Sequence, residues 1–577
     1  MFGAMLLHIL LLWVLSHLSR ADCERNDARP ENLDLLQRKL NVANTNSSKP
    51  NLLFVVLDQW RWDWAGFHDA HVAMPTVQTL AARGVSFMRA YTPSPQCAPA
   101  RSAIAAVREY KDMWVKNNTY HYVSEKMTPT FMSVLQQAGY TTMLAGKDHL
   151  TIAPISGPFQ STGMEALGVD RFHRALDKYS FCQGIFGRYV PVDGYSDYLT
   201  AKGILQAQCK AYGGIGYPFT GAEGACCNET PVFDWAFPQE NGFRCMMPNQ
   251  LDEEHSPDAW VRRSAQELLD SHQKDHGASP WFLQVNFLGP HPPFILKSST
   301  ALPSTSLPEA IDVSGSEQQP VFDLDLHGLQ MVPNIFHGYV NITDSRKQYA
   351  ALLQQIDEEL EELLKTVDQM PGETVVAVIG DHGEHLGDHG QFGKTSPFEP
   401  AVHVPLIIAG APFRHNVKEY HPVSTIDVPM TFLELAGILP SPTMQGYSLM
   451  PALTGVGTLT RPAVMSGMNY WQDVIPDVNY SHGRVQFDSA AALFGTDFLK
   501  LICCPVGCRK GGSLLPTMVA PQVALMNVTQ GEDVHRFEKD ILNQPAGHGV
   551  QEALYLAAFL SKDFQEVCMP LLEALAV

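Results

Sequence analysis

The sequence predicts an α/β fold: a large, mostly parallel sheet flanked by helices, with a smaller α+β subdomain toward the C-terminal end. Three observations carry this expectation. The apolar runs at 52–57 and 375–379 are continuous rather than alternating, the pattern of strands buried on both faces. Such runs alternate with helix-length segments, as parallel strands with helical crossovers require. Charged and imidazole groups follow the strand ends, where ligands gather in sheets of this kind.

The elements follow in order. The apolar run from Ala4 to Leu15, followed by Ser19-Arg20-Ala21, reads as a cleaved signal peptide over 1–21. Residues 22–50 are a polar, Asn-rich lead-in, and 51–440 form the main body. Asn51 to Leu57 is a central strand ending at Asp58. Met74 to Arg83 has helix character, and Ser102 to Val107 is a small-residue segment suited to close helix packing. Thr130 to Ala138 reads as a helix, then Thr141 to Ala145 as a short strand leading into Lys147 and His149. Trp260 to His272 is helical, and Trp281 to Phe287 is a strand that precedes His291. The long helix Arg346 to Val367 comes next, then the strand Glu373 to Ile379 running into Asp381 and His382. A strand at Val404 to Ala409 and a helix at Asp427 to Ala436 complete the body. The 441–577 region turns to shorter strand-like pieces, such as Ala491 to Phe494 and Val523 to Met526, and reads as a subdomain with its own sheet.

Charge narrows the function. Sixty acidic against forty basic residues in 577 give a net charge of −20, so a broad nucleic-acid-binding surface is excluded while a local basic pocket for a small anion is not. No later apolar run is long enough for a membrane span. Export gives meaning to six N-x-[ST] triplets, at Asn46, Asn117, Asn228, Asn341, Asn479 and Asn527, as glycosylation sites. It also lets ten of the eleven cysteines pair as disulfides, in groups around 182–245 and 503–568 with Cys23 near the mature start, the pairing left open.

The eleventh is Cys97, in Cys97-Ala98-Pro99-Ala100-Arg101, where a Pro-rich loop meets a helix. A cysteine beside an arginine at a helix start is a candidate low-pKa nucleophile; taken alone, a loop disulfide partner is the other reading.

This stretch, with the strand ends around it, resembles the sulfatase family of the alkaline-phosphatase superfamily. The landmarks appear in family order: Asp58, Gly146-Lys147-Asp148-His149, Pro290-His291-Pro292, Gly380-Asp381-His382-Gly383-Glu384, Gly393-Lys394, Val404-Pro405-Leu406-Ile407, Ser424-Thr425-Ile426-Asp427-Val428 and Gly446-Tyr447-Ser448-Leu449. Together they cover roughly 50–545. The resemblance implies that Cys97 is converted to formylglycine by the formylglycine-generating enzyme, its partner during maturation. It implies one divalent cation, Ca²⁺ before Mg²⁺ or Mn²⁺, held by Asp58, Gln59, Asp381, His382 and an oxygen of modified Cys97. The hydrated aldehyde then attacks sulfur and releases the alcohol, and its second hydroxyl expels sulfate. Arg101 holds the modified residue, Lys147 and Lys394 neutralise the ester oxygens, His149 is the base, and His291 acts as acid or donor toward the leaving group. The substrate is a small or glycan-linked sulfate ester, and the destination is secretion or the lysosome.

Departures from the pattern matter. The Asp58-Gln59-Trp60-Arg61 form, in place of consecutive aspartates, resembles a subgroup that includes arylsulfatases and phosphonate monoester or phosphodiester hydrolases. Sulfate esters and phosphodiesters develop similar charge, so one pocket serves both, and phosphodiester or phosphonate hydrolysis is the alternative activity. A secreted binder of sulfated glycans that keeps the fold without turnover is the non-enzyme alternative. Ala100 and Ala106-Val107-Arg108 stand where the family has Ser and Thr-Gly-Arg, and His403 stands where an arginine is expected. His385, Asp388 and His389 suggest a second metal site on spacing alone, but Gly387 and Gly390 favour a flexible loop delivering Lys394. The run Asp357 to Glu362 reads as a solvated helix face. Trp60, Trp62 and Trp64 line an entrance or pack in the core.

Overall fold

Strand β1 (Asn51–Asp58) is buried along its whole length, and its two faces lie in two different cores. The computed structural model describes residues 49–67, 71–116, 118, 129–150, 162–175, 183–185, 188–190, 193–205, 246–248, 253–292, 294–297, 302–303, 307–309, 342–388, 393–394, 396–471, 484–494, 497–504, 522–528, 539–540, 550–560 and 562–575. The expected signal peptide, seven of the eleven cysteines (Cys23, Cys182, Cys209, Cys226, Cys227, Cys245 and Cys508) and the asparagines of every glycosylation triplet but Asn527 fall outside them. One compact unit spans Pro50–Val577.

Leu53, Val55 and Leu57 meet helices α4 (Pro257–His276) and α5 (Ile342–Val367) through Val261, Leu268, Leu353 and Ile356. Leu52, Phe54 and Val56 meet α2 (Cys97–Ala106), α3 (Phe131–Gln137) and α6 (Asp427–Leu435) through Ala103, Phe131 and Phe432. A strand clothed on both faces has no polar side to show, which is why its sequence does not alternate. Each such fully buried side chain contributes roughly 1.5–3 kcal/mol.

The main sheet has eight strands. The others are β2 (Gly84–Phe87), β4 (Thr141–Lys147), β5 (Arg171–Ala175), β6 (Trp281–Pro290), β7 (Thr374–Gly380), β9 (Leu406–Ala409) and β10 (Val417–Glu419), in the order β10-β2-β9-β7-β1-β6-β4-β5. Only β9 runs against the rest. The expected strand over Val404 to Ala409 is split. His403–Val404 (β8) pairs with β3 (Ala90–Tyr91) in a small separate sheet that β11 (Val423–Ser424) completes, and Pro405, which has no N–H to give a ladder, marks the change of sheet.

A second, antiparallel sheet follows in the order β12 (Val464–Trp471), β13 (Arg484–Phe494), β14 (Asp497–Cys504), β15 (Gln522–Asn527) and β16 (Lys539–Asp540). Helices α7 (Val550–Ala557) and α8 (Lys562–Leu575) cover one face, and a Cys503–Cys568 disulfide with Cα atoms 6.3 Å apart ties β14 to α8. Among the described residues no helix is long and apolar enough to cross a membrane.

Two sequence readings change. The acidic run is not uniformly solvated: Asp357 is buried and accepts the Thr76 and Val77 amides at 2.9 Å, closing the N-terminus of helix α1 (Pro75–Ala82), while Glu359 pairs with Arg262 and Lys297. A carboxylate at the positive end of a helix is well placed. The three tryptophans are core residues rather than an entrance. Trp62 stacks on His403 at 4.5 Å, and Trp64 lies against both Arg61 and Arg346.

Candidate active site

The four central neighbours β7, β1, β6 and β4 bring their carboxyl ends together, and each carries part of the site. β1 ends at Asp58, which is in register with Pro290 at the end of β6, just before His291. Leu57 pairs with Gly380, so Asp381 and His382 emerge from β7 beside Asp58. β4 ends at Lys147, with His149 two residues on. Gly146 takes φ +94° there, and a Cβ on it would collide with Asn286 O of β6; only glycine lets the chain turn so close to its neighbour.

Cys97 is the first residue of α2, which starts earlier than the small-residue run suggested because Pro99 is tolerated in a first turn. The helix stops at Val107 in the left-handed conformation (φ 54°, ψ 48°), the position where the sulfatase pattern has glycine. A β-branched residue there is strained. The Ala98 amide is met at 3.0 Å by Asn118 Oδ1, from the segment downstream of the helix.

Asp58, Cys97, Asp381 and His382 form one buried cluster whose ligand atoms all lie within 4.8 Å of one another. Cys97 Sγ is 3.1 Å from His382 Nε2 and 3.7 Å from Asp58 Oδ1. His382 Nδ1 lies 3.1 Å from Gly383 O; donation there leaves Nε2 as a lone-pair donor facing the cluster. Asp381 Oδ1 accepts the amides of Gln59 (2.9 Å) and His382 (2.8 Å), and Oδ2 accepts from Arg101 Nε at 2.9 Å. Arg101 also donates to Lys147 O, joining the helix to the end of β4.

Two lysines converge on Cys97. Lys147 Nζ, fully buried, lies 2.5 Å from Asp58 Oδ2 and 3.7 Å from Sγ. Lys394 Nζ, half-buried, lies 2.9 Å from Sγ and 2.8 Å from Gln59 Oε1. Burial and Asp58 push the thiol up, but Lys147, Lys394 and His382 overcome them and hold it well below the usual range. Asp58 is likewise held low: burial opposes ionisation, and Lys147, His291, Lys394 and Arg101 outweigh it. Asp381 goes the other way, raised by burial and by Asp58 against the pull of His382 and Arg101.

His291, which acts electrostatically on Asp58, and His149, two residues past Lys147, are both half-buried. His149 has φ +47°, and His291 Nδ1 lies 2.6 Å from Pro292 O. The Gln59 side chain meets Lys394 through Oε1 and Glu384 through Nε2.

The 381–388 segment is clamped rather than flexible. Arg61 reaches the carbonyls of Glu384 and His385 and the carboxylates of Asp63 and Asp388, while Arg346 holds Asp388 and Leu386 O. His385 is 2.6 Å from Ser396 Oγ and Asp388 takes both guanidinium groups; among the described residues they join no second cluster of metal-ligating groups, and His389 lies outside those residues. Sequence reasoning missed Arg61, Arg346 and Glu384 as parts of the site's frame, although Arg61 and Glu384 lie inside motifs already singled out.

Strand ends that deliver two carboxylates, an imidazole and a lysine to a helix bearing a cysteine and an arginine, with a second lysine from a later segment, define a hydrolase centre of the alkaline-phosphatase superfamily type. The sulfatase family model matches residues 50–438, and the chain belongs to the sulfatase family as a sulfatase-type hydrolase. It is 28% identical over 437 residues to the choline-sulfatase of Rhizobium meliloti, covering 73% of this chain and 74% of that one. With arylsulfatase K of Xenopus laevis it shares 24% over 460 residues, 74% of this chain and 70% of the relative. The phosphonate monoester hydrolase of Agrobacterium radiobacter has the same fold at TM-score 0.62 and 18% identity, with 88% of this chain and 94% of that one covered.

Proposed function

We propose that the protein hydrolyses sulfate monoesters of small or glycan-linked alcohols at position 97. The observation that carries this reading is Cys97 Sγ with Lys394, His382, Lys147 and Asp58 all within 3.7 Å at the floor of the strand ends. In the mature enzyme that sulfur stands in for an oxygen of formylglycine. Once converted and hydrated, the residue supplies the hydroxyl that attacks sulfur and a second hydroxyl that lets the product leave.

The donor set fits a divalent cation. Two buried carboxylates and an imidazole nitrogen face one point, and burial raises Asp381 beside an ionised Asp58, a repulsion that a cation relieves. With an oxygen from residue 97 the set is mostly hard, which favours Ca²⁺, then Mg²⁺ or Mn²⁺. Bound there, the cation lowers the pKa of the attacking hydroxyl and polarises the ester. Gln59 is the weakest member of the expected ligand set, because its Oε1 already receives Lys394.

The chain's own side chains do the rest. Arg101 holds Asp381 and the end of β4 in register with the helix that bears residue 97. Lys147 and Lys394 place two positive charges where the ester oxygens gather charge. His149 takes the proton of the second hydroxyl, and His291 donates toward the departing alcohol. A neutral Gln59 where the family pattern has an aspartate leaves the pocket less anionic, which supports phosphonate monoester or phosphodiester hydrolysis as a second activity. The Cys503–Cys568 disulfide supports passage through an oxidising compartment, where a formylglycine-generating enzyme acts and from which the protein is secreted or sent to lysosomes.

Mass spectrometry of the peptide containing Cys97, from protein of the native host, tests this reading. Formylglycine is expected, and an unmodified thiol throughout would sink it. A panel of aryl sulfate, phosphonate monoester and phosphodiester substrates then ranks the two activities.

A further inference from the structure

Glu384 is buried (1% exposed) and stands outside the quartet, yet its carboxylate is fully engaged. Oε1 accepts the amides of Leu386 at 3.0 Å and Gly393 at 2.5 Å, and Oε2 accepts from Gln59 Nε2. Gly393 is the residue before Lys394. A carboxylate can only accept, so Gln59 must turn its NH₂ toward Glu384 and its carbonyl oxygen the other way. That oxygen receives Lys394 Nζ at 2.8 Å, with Cys97 Sγ 2.9 Å from the same ammonium. The Gln59 backbone has no freedom to compensate: it sits at φ +71°, its N–H on Asp381 and its C=O on the Tyr349 hydroxyl at 2.7 Å.

The geometry points to Glu384 as the positioning residue that sets Lys394 against residue 97. It does so twice over, by gripping the backbone that precedes the lysine and by fixing the polarity of the glutamine that receives it. The assignment rests on the hydrolase reading only for what Lys394 does to a bound ester; the placement of the ammonium is independent of it.

Glu384→Gln is the informative change, because it turns the acceptor facing Gln59 into a donor. The glutamine must then flip or part from it, and a flipped amide points N–H groups at the Lys394 ammonium. Trace acetylation with acetic anhydride, read peptide by peptide, reports the lysine without needing turnover, formylglycine or metal. Lys394 is expected to label about tenfold faster in Glu384→Gln, while buried Lys147 and Lys500 label as in the wild type. In parallel, kcat for 4-nitrophenyl sulfate is expected to fall about 30- to 100-fold with KM changed less than about threefold. Pairing Glu384→Gln with Gln59→Glu restores one donor facing one acceptor, and it should return Lys394 labelling toward the wild-type rate. Should Glu384→Gln fail to fold, Gln59→Met must free Lys394 in the same assay. Unchanged Lys394 labelling overturns the assignment, and so does a rise shared by Lys147 and Lys500, which would mark general loosening. A wild-type enzyme inert toward every ester in the panel removes the hydrolase reading, and the labelling still decides the role of Glu384.

Discussion

Asp58, Lys147, Asp381 and His382 are fully buried at the ends of adjacent strands, whereas His149, His291 and Lys394 are half-buried on the segments that leave those strands. The floor is over-determined. Every carboxylate oxygen there meets a lysine, an arginine, an amide or the cysteine–histidine pair, and parallel register sets where each strand stops. On the rim, His291 Nδ1 lies against the Pro292 carbonyl, and Lys394 Nζ reaches Gln59 Oε1 and Cys97 Sγ. In the proposed reaction the difference separates two duties: the floor holds charge and the reacting residue with no reorganisation, and the rim meets the leaving group.

The largest expected effect belongs to the centre of the floor. Cys97→Ala removes the proposed nucleophile, so kcat should fall by about 10⁴-fold or more. The melting temperature should change little, because one small buried side chain replaces another. Residual turnover at the wild-type rate would point to a different nucleophile and dissolve the distinction between floor and rim.

Asp381→Asn is the next step down. It halves the charge of the carboxylate pair and loosens Arg101, so turnover should fall by about 10³-fold and the stabilisation by added Ca²⁺ should largely vanish. In the wild type, a cation at a hundred times its Kd adds roughly 2.7 kcal/mol, visible as a rise in melting temperature. An Asp381→Asn protein that still gains the full rise would place the cation elsewhere.

His291→Ala tests the rim. Loss of a positioned donor should lower kcat by about 10²-fold, more for alkyl sulfates than for 4-nitrophenyl sulfate, whose leaving group needs no proton. KM and melting temperature should stay close to the wild type. If His291→Ala instead lowers the melting temperature as a buried floor residue would, the rim carries part of the fold and the contrast fails.

The same contrast explains what could be read from the sequence. Asp58, Asp381, His382 and Lys147 follow segments that read as strands, so the pattern placed them at the carboxyl ends of strands in one sheet. The supporting frame was not legible. Arg61 and Arg346 lie 285 positions apart in the chain and meet at Asp388 and at the Trp64 ring, contacts that no local pattern encodes. Asp357 looked like one more solvated acid because its partners are the amides at the start of α1. The 381–388 segment looked flexible from its glycines, but two buried guanidinium groups overrule that local propensity.

The smallest expected effect on turnover comes from the second sheet. Along β14 the side chains alternate: Leu499, Leu501 and Cys503 join the core beneath α7 and α8, while Lys500 projects the other way to Pro397 O and Glu399 Oε1. Glu399 in turn accepts from the Tyr91 hydroxyl and lies 3.1 Å from His403, so that face of the strand is joined to the small sheet of the catalytic body. The disulfide is on the opposite face. Cys503→Ser therefore releases α8 from β14 without touching Lys500, and the loss should be one of stability, about 2–4 kcal/mol by denaturant unfolding. Turnover measured well below the melting temperature should stay within about twofold, since no group that reaches residue 97 changes partner. A drop in kcat comparable to that of His291→Ala would show that strain in the helical layer crosses β14 to Glu399, and the two faces of the strand would have to be treated as one unit.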